Sequence, residues 1–260
     1  DILSNEVYIY NPATDTNRTI HTCQPVGTVV PRALGGLTVA LHNGFANINL
    51  ETEKMTPIGK DPEWDIPANR FNDGKCDPAG RFWAGTISLV KNTGDDALYM
   101  LDIAGTLSLK VPKVTNSNGI CWSLDTTKMY YIDTPTKQVR VYDYDNSSGD
   151  IGSPKILVDT EVKGYDSSPD GMTIDSDGNL WVAFCHGGCV TCFDGRNGEQ
   201  LRKIDLPCVE TTACAFGGPN LDRLFVTTGL HKTLEEPEAG RVFVIDGLGV
   251  QGVPAFAFAG

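Results

Sequence analysis

The sequence lacks the features that would place the protein in a membrane or on a nucleic acid. Its 260 residues contain no apolar window of about 18 residues, the length that a membrane-spanning helix requires. Basic residues are scarce: 21 lysines and arginines stand against 33 aspartates and glutamates, a net charge of -12. A surface of this charge repels phosphate backbones and anionic lipids. We therefore expect no nucleic-acid and no membrane partner. Solubility explains the acidity, and oxygen ligands for a cation are the alternative.

A secretory signal is also missing from the sequence, and this bears on the cysteines. The first residues, Asp-Ile-Leu-Ser-Asn-Glu, contain no basic segment followed by an apolar run. Eight cysteines are scattered along the chain, several inside apparent strands. We expect free buried thiols in a reducing compartment, hence a cytoplasmic protein. Cys189-x-x-Cys192 with Cys185 could indicate zinc or redox chemistry, but no second pair completes a zinc site, which favours a structural role.

Sustained helical periodicity is absent, and a repeated strand pattern takes its place. Apolar and polar residues alternate, with Val, Ile, Tyr, Phe and Trp enriched, which predicts strands. Each repeat is an apolar strand, a turn rich in Gly, Asp, Asn or Pro, a second apolar strand and further strand material. The repeats are about 45 residues long and begin at Val29, Gly74, Gly119, Gly171 and Ala213.

A repeat of this length with about four strands is typical of a β-propeller blade. Residues 2–22 resemble the outer hairpin of one more blade whose inner half would precede residue 1. The sequence therefore predicts an all-β protein with a single domain over residues 1–260. We expect a six-bladed β-propeller whose first blade lacks its inner strands in this chain.

Polar residues stand at the entrance of several repeats. Asn72, Asn118 and Asp170 occupy equivalent positions, just before a glycine or one residue further from it. In a propeller such positions line the mouth of the central channel, where amide and carboxylate oxygens would suit Ca²⁺, Mg²⁺ or Mn²⁺. Alternatively, these residues only cap turns. Periodicity leaves both interpretations open.

Other polar residues are weaker candidates. The turn Asp175-Ser176-Asp177-Gly178 resembles part of a calcium loop but lacks the flanking helices and the closing glutamate. Asp73 is expected to anchor a turn through backbone N–H groups. The histidines lie away from the repeated channel position and are interpreted as surface or satisfied residues: His21, His42, His186 and His231.

Several motifs, in order along almost the whole chain, resemble the regucalcin (senescence marker protein)/gluconolactonase family, which includes luciferin-regenerating enzymes. They are RFNDGKCDPAGRFWAGT, SNGICWSLDTTKMYYID, PDGMTIDSDGNLWVA and TTACAFGG. The resemblance implies a six-bladed propeller that binds one divalent cation in its channel and hydrolyses sugar lactones. The expected cation is Ca²⁺, with Zn²⁺, Mn²⁺ and Mg²⁺ as alternatives.

The resemblance also implies roles for particular residues. Asn118 and Asp170 match two metal ligands, and Asp170 matches the general base. Arg70 and Asn72 match substrate-contacting positions. The third ligand would be a glutamate upstream of residue 1. Glu63, in Pro-Glu-Trp, is out of phase with the repeats and is not expected to replace that glutamate.

The leading hypothesis is a divalent-metal-dependent hydrolase of small sugar lactones, active as a monomer or weak dimer. The cation would polarise the lactone carbonyl and activate water. Residues 87–91 (Ile-Ser-Leu-Val-Lys) stand where the family commonly has an acidic substrate contact. This leaves open another ester or organophosphate hydrolase, or a luciferin-regenerating activity. A non-catalytic calcium-binding propeller is the alternative of a different class.

Overall fold

The computed structural model describes residues 1–90, 93–231 and 235–260, and the chain divides into two compact units. The first unit comprises Asp1–Ser117 and Phe256–Gly260, and the second comprises Asn118–Ala255. Within the described ranges there is no α-helix, so no helix could span a membrane. One short 3₁₀ turn lies at Thr134–Thr136.

The first unit contains ten antiparallel strands in three sheets. A two-stranded sheet is formed by β1 (Glu6–Asn11) and β2 (Thr16–His21). A four-stranded meander follows, made of β3 (Val26–Pro31), β4 (Leu37–Leu41), β5 (Gly44–Ile48) and β6 (Met55–Ile58). The second meander is made of β7 (Asn69–Cys76), β8 (Phe82–Ser88), β9 (Asp96–Leu101) and β10 (Leu107–Val114).

The second unit contains three more sheets. The first has β11 (Ser117–Trp122), β12 (Lys128–Asp133), β13 (Gln138–Asp145), β14 (Asp150–Ile151) and β15 (Lys155–Asp159). The next has β16 (Ser168–Ile174), β17 (Leu180–Cys185), β18 (Cys189–Phe193) and β19 (Gln200–Asp205). The last has β20 (Thr211–Gly217), β21 (Arg223–Thr228) and β22 (Val242–Ile245).

These sheets confirm the predicted all-β, propeller-like fold, but not its blade count. In the described ranges, five sheets rather than six have the three or more strands of a blade. The remaining sheet is the hairpin of β1 and β2, and the predicted incomplete first blade is not confirmed. The prediction of a single domain stays a prediction.

Burial falls from the first strands of each meander to the last, which follows from composition. In the β16–β19 sheet, the apolar strand β17 is almost wholly buried, whereas β19 (Gln-Leu-Arg-Lys-Ile-Asp) is almost wholly exposed. Apolar side chains on both faces of the inner strands form the cores. The tryptophans expected in the core are buried there: Trp83, Trp122 and Trp181.

Two hairpins have the same arrangement, in which a buried aspartate accepts hydrogen bonds from a tryptophan and from its own turn. This arrangement explains why the two hairpin sequences are similar. Oδ2 of Asp77 accepts a hydrogen bond from Trp83 Nε1 at 2.9 Å, and Oδ2 of Asp175 accepts one from Trp181 Nε1 at 2.9 Å. In each hairpin Oδ1 accepts backbone N–H groups of the turn. Asp175 therefore holds its own turn, and the calcium-loop interpretation has no support in these contacts.

Glu63 is a third buried carboxylate with a structural role. Its Oε1 accepts hydrogen bonds from Thr86 Oγ1 and Tyr99 Oη, both at 3.0 Å, and its Oε2 accepts one from Asn69 Nδ2 at 3.0 Å. Burial raises the pKa of Glu63 above its ordinary value, and the three hydrogen bonds act in the opposite direction. Glu63 thus ties the segment before β7 to β7, β8 and β9.

Bulges interrupt the first strand of four sheets near the repeated polar position. The ladder shifts between Phe71 and Gly74 in β7 and between Pro169 and Met172 in β16. Similar shifts lie at Gly27 in β3 and Thr212 in β20. A bulge releases residues from the ladder and changes the direction of their side chains. The bulge of the first of these sheets lies at Gly27, two residues before the predicted start of its repeat at Val29.

Glycine next to these positions permits close approach of neighbouring sheets. A Cβ on Gly119 would lie 2.7 Å from the carbonyl oxygen of Asp170, and one on Gly171 would lie 2.7 Å from Cα of Ala213. In the first unit, a Cβ on Gly27 would overlap the carbonyl oxygens of Phe71 and Asn72. Only glycine allows the backbones to approach this closely.

We expect Glu63→Ala to lower the free energy of unfolding by about 2–4 kcal/mol, because three buried donors lose their shared acceptor. Urea denaturation followed by tryptophan fluorescence measures the change. Glu51→Ala, at an exposed position, is the control and should stay within about 0.5 kcal/mol of wild type. Equal stability of the two variants would contradict the assigned role.

We expect Gly119→Ala to cost about 1–3 kcal/mol, because the added methyl group meets the backbone of the neighbouring strand. The control is Gly152→Ala, whose Cβ would meet the Asp143 side chain at 3.3 Å rather than backbone. Thermal and urea unfolding measure both. A cost no larger than that of the control would show that the two strands separate readily.

Candidate functional site

The predicted site residues are divided between the two units, with Arg70 and Asn72 in the first unit and Asn118 and Asp170 in the second. Both Arg70 and Asn72 lie on β7: Arg70 lies before its bulge, and Asn72 lies in the bulge. Asn118 lies on β11, and Asp170 lies in the bulge of β16. Each pair is brought together within its own unit.

Asn72 is held by hydrogen bonds at both ends of its amide. Its Nδ2 donates to the carbonyl oxygen of Ser117 at 2.8 Å and to Asn116 Oδ1 at 3.2 Å. Its Oδ1 accepts from Arg70 Nη1 at 3.0 Å. The donors and acceptors of these groups fix the amide orientation. Asn72 therefore positions the guanidinium of Arg70.

Arg70 has features of a ligand-binding arginine. Its Nη1 also donates to the carbonyl oxygen of Phe71 at 2.9 Å, but its buried Nε has no hydrogen-bond partner among the described residues. Burial lowers the pKa of the Arg70 guanidinium from its ordinary value, yet an arginine stays charged at neutral pH. A buried donor without a partner is costly. The guanidinium is thus suited to an oxygen-rich ligand.

Beside Arg70, the strand β8 presents apolar residues. Ile87 is the direct cross-strand partner of Arg70, and Leu89 and Val90 beyond it are exposed. The next carboxylate along the chain with a described contact, Asp96, accepts the backbone N–H of Ser88 through Oδ2 at 3.1 Å. Lys91, the last residue of the predicted substrate loop, lies outside the described residues.

In the second unit, a hydrogen-bond relay connects Asn118 to the residue before Asp170. Asn118 Nδ2 donates to Thr134 Oγ1 at 2.7 Å, and Thr134 Oγ1 donates to the carbonyl oxygen of Pro169 at 2.8 Å. Because the single hydroxyl proton of Thr134 goes to Pro169, the hydroxyl can only accept from Asn118, so the amide nitrogen faces Thr134. Oδ1 of Asn118 is then the end that can bind a cation.

The donor set of the second unit fits a hard divalent cation. Asn118 is 6% exposed and offers a neutral amide oxygen, and Asp170 is half-buried and offers a carboxylate. Carboxylate and amide oxygens are the ligands preferred by Ca²⁺ and Mg²⁺. The bulge in β16 takes Asp170 out of the ladder. These two residues could hold part of a metal coordination shell.

No sequence pattern singled out Thr134, because it lies between repeats, in the 3₁₀ turn after β12.

Asp73 makes one of the backbone hydrogen bonds that were expected of it: its Oδ1 accepts the backbone N–H of Gly74 at 2.7 Å. Burial raises the pKa of Asp73, outweighing the opposite effects of Lys75 and of this hydrogen bond.

The cysteines are all free, as expected, and six are buried. Cys189 and Cys192 are buried in β18, in agreement with a structural role. Cys185 instead donates from Sγ to Glu210 Oε2 at 2.9 Å. Burial raises the pKa of the Cys185 thiol, and Glu210 and Asp170 raise it further.

Two histidines have the satisfied surface contacts that were expected, and two belong to a cluster that was not foreseen. His42 Nε2 lies 3.1 Å from the carbonyl oxygen of Pro67, and His21 pairs with Glu6 at 3.2 Å. His186 and His231 both face Glu210. Sequence spacing gave no signal for this cluster, because Glu210 lies on a different strand connection from Cys185 and His186.

A family profile and two relatives of known name all indicate the same protein family. The sequence profile described as "SMP-30/Gluconolactonase/LRE-like region" matches residues 1–230. Regucalcin from Xenopus laevis is 36% identical over 270 residues, covering 100% of this chain and 89% of that protein. The protein YvrE of Bacillus subtilis (strain 168), whose name marks it as a candidate sugar lactone lactonase, is 36% identical over 248 residues. That match covers 94% of this chain and 84% of YvrE.

Solved structures with similar folds point in the same direction. A calcium-binding protein, regucalcin from Agrobacterium tumefaciens str. C58, has a TM-score of 0.92 at 25% identity, covering 99% of this chain and 87% of that one. A luciferin-regenerating enzyme has a TM-score of 0.91 at 30% identity, covering 100% and 90%. With the profile match over residues 1–230, these similarities show that the chain belongs to the SMP-30/gluconolactonase/LRE-like family.

Proposed function

We propose that the protein is a divalent-metal-dependent hydrolase of small sugar lactones. The observation that carries this proposal is the Asn118–Thr134–Pro169 relay, which presents an amide oxygen as a ligand on the strand beside Asp170. Family membership supports it, since the family includes gluconolactonases by name, and YvrE is named for sugar lactones. Regucalcin from A. tumefaciens is described as calcium-binding, which favours Ca²⁺.

In this proposal Asn118 and Asp170 hold the cation, together with a glutamate that the resemblance places before residue 1. When bound, the cation polarises the lactone carbonyl and makes a water molecule more acidic. Asp170 takes a proton from the attacking water as its oxygen bonds to the carbonyl carbon. The ring C–O bond then breaks, and Asp170 returns the proton to the departing alkoxide, which gives the open-chain hydroxy acid.

Arg70 and Asn72 are assigned to substrate binding. The Arg70 guanidinium is oriented through Nη1 by the carbonyl oxygen of Phe71 and by Asn72, so its other donors have a fixed direction for substrate oxygens. Asn72 holds the guanidinium at 3.0 Å through Oδ1. Arginine offers several fixed donors, which suits a polyhydroxylated lactone.

A second candidate function is hydrolysis of a less polar ester, or a luciferin-regenerating activity. The apolar Ile87 opposite Arg70, with Leu89 and Val90 exposed beyond it, supports this alternative. A catalytically inactive calcium-binding propeller is the non-enzymatic alternative. The sugar lactonase, the hydrolase of a less polar ester and the calcium-binding propeller would all use Asn118 and Asp170 to hold the cation. Only the two enzymes would turn over a substrate.

The proposal extends to the number of blades, the cellular location and the oligomeric state of the protein. We propose that the hairpin of β1 and β2 is the outer half of a sixth blade, as the resemblance implies. A cytoplasmic location is supported by eight cysteines that are all free. A monomer or weak dimer without nucleic-acid or membrane partners is supported by the net charge of -12.

We expect wild-type protein to hydrolyse δ-gluconolactone with Ca²⁺ or Mn²⁺, and EDTA to abolish the activity. Proton release in a pH-stat measures the rate, with an aryl ester in parallel to test the second candidate. Asp170→Asn should lower kcat by about 100-fold or more, because it removes the proton acceptor. Asp166→Asn, at an exposed position just before β16, is the matched control and should retain activity.

The results discriminate among the proposals. Full turnover by Asp170→Asn, or activity in EDTA, would sink the mechanism. Cation binding without turnover of either substrate would favour the calcium-binding alternative. Turnover of the aryl ester alone would favour the less polar substrate.

We expect Thr134→Val to weaken cation binding by about 10- to 100-fold, because a ligand loses the partner that orients it. Calcium affinity is measured by isothermal titration calorimetry. Thr136→Val is the control: Thr136 lies in the same 3₁₀ turn, and its Oγ1 donates to the carbonyl oxygen of Asp133 at 2.7 Å, away from Asn118. Equal affinities of the two variants would overturn the relay's role.

A further inference from the structure

Outside the residues assigned to the lactonase site, the second unit gathers a thiol, a carboxylate and two imidazoles. Sγ of Cys185 lies 2.9 Å from Glu210 Oε2, and Nδ1 of His186 lies 2.8 Å from Glu210 Oε1. The ligand atoms of these three residues all lie within 4.8 Å of one another. Nε2 of His231 lies 3.8 Å from Glu210 Oε1, and the two imidazole rings are 6.1 Å apart at an angle of 86°.

We propose that Cys185, His186 and Glu210 form a second metal site, suited to Zn²⁺ or a similar thiophilic divalent ion, with His231 next to it. Thiolate, imidazole and carboxylate are the ligand types that zinc takes, and three protein ligands leave the fourth position of a tetrahedral ion to water. This site shares no residue with Asn118 and Asp170, and it is independent of the proposed lactonase activity.

The separations between ligand atoms are close to what a tetrahedral ion needs. Bonds of about 2.0–2.3 Å place the ligands of a tetrahedral zinc about 3.3–3.8 Å apart. Sγ of Cys185 and Nδ1 of His186 lie 2.9 and 2.8 Å from the Glu210 oxygens, about half an ångström closer than this range. Small side-chain rotations would open both contacts, which the ion would replace. The thiol proton leaves when the metal binds.

The backbone supports the cluster in two ways. Cys185 ends β17 as the cross-strand partner of Ser168, and the turn that follows carries His186. His186 has a left-handed backbone conformation with φ of +62°, which turns the chain after β17 and places the imidazole against Glu210.

Access and charge also favour a cation. The side chain of His186 is 62% exposed and gives an ion an entry path, whereas that of Glu210 is 12% exposed. A divalent ion here would be attracted by the carboxylate of Glu210, which contacts both Cys185 and His186.

Cobalt substitution tests the proposal. Protein stripped with EDTA and titrated with Co²⁺ should develop a near-ultraviolet thiolate-to-cobalt charge-transfer band that Zn²⁺ displaces. Cys185→Ala should abolish the band. His186→Gly should weaken Co²⁺ binding by at least about 10- to 100-fold, the loss that even an outer-shell partner causes. The backbone of His186 already suits glycine, so this variant is expected to fold.

Two controls make the outcome decisive. Cys23→Ala removes an exposed free thiol elsewhere and should leave the band unchanged. Asn118→Ala should also keep the band while losing lactone turnover, so that failure of one proposal is distinguishable from failure of the other. No band in wild-type protein, or an undiminished band in Cys185→Ala, would overturn the second metal site.

Discussion

The close approach of neighbouring strand backbones, permitted only by glycine, is the constraint on which the candidate site depends. At Gly119 the carbonyl oxygen of Asp170 occupies the space of a side chain, and at Gly171 the backbone of Ala213 does so. The bulge in β16 lies at this contact. Close packing and an interrupted ladder together put Asp170 on the strand beside Asn118, with its side chain released from the regular alternation.

Several carboxylates in this acidic protein hold the fold together through buried hydrogen bonds. Asp77 and Asp175 each accept an indole N–H and several turn N–H groups, and Glu63 accepts three side-chain donors. These groups are structural because both oxygens are engaged inside the fold. Asp170 is half-buried in the bulge of β16, and its role as a ligand or base stays a proposal.

Membership of the SMP-30/gluconolactonase/LRE-like family gives the chain its chemical context, and the contacts of individual residues give it detail. The relay through Thr134 orients the amide of Asn118, and Asn72 orients the guanidinium of Arg70. Ile87, opposite Arg70, marks where this chain departs from the pattern expected for a sugar-specific site.

The strand repeats and the all-β class could be predicted from the sequence alone, whereas the equivalence of the polar residues before the glycines stays a prediction. Periodicity of two and turn residues are local properties, so they can be read without a structure. Six blades were predicted from the repeats, but the described chain has five sheets of three or more strands. The difference arises because the sequence of a hairpin is the same whether or not inner strands pair with it.

Which polar atoms meet depends on packing between distant parts of the chain. Thr134 orients Asn118 across strands, Glu63 gathers donors from β7, β8 and β9, and Glu210 brings Cys185 together with two histidines. These contacts join residues far apart in the chain, and a hydrogen bond depends on distance and direction to within a few tenths of an ångström. No spacing in the sequence encodes that geometry.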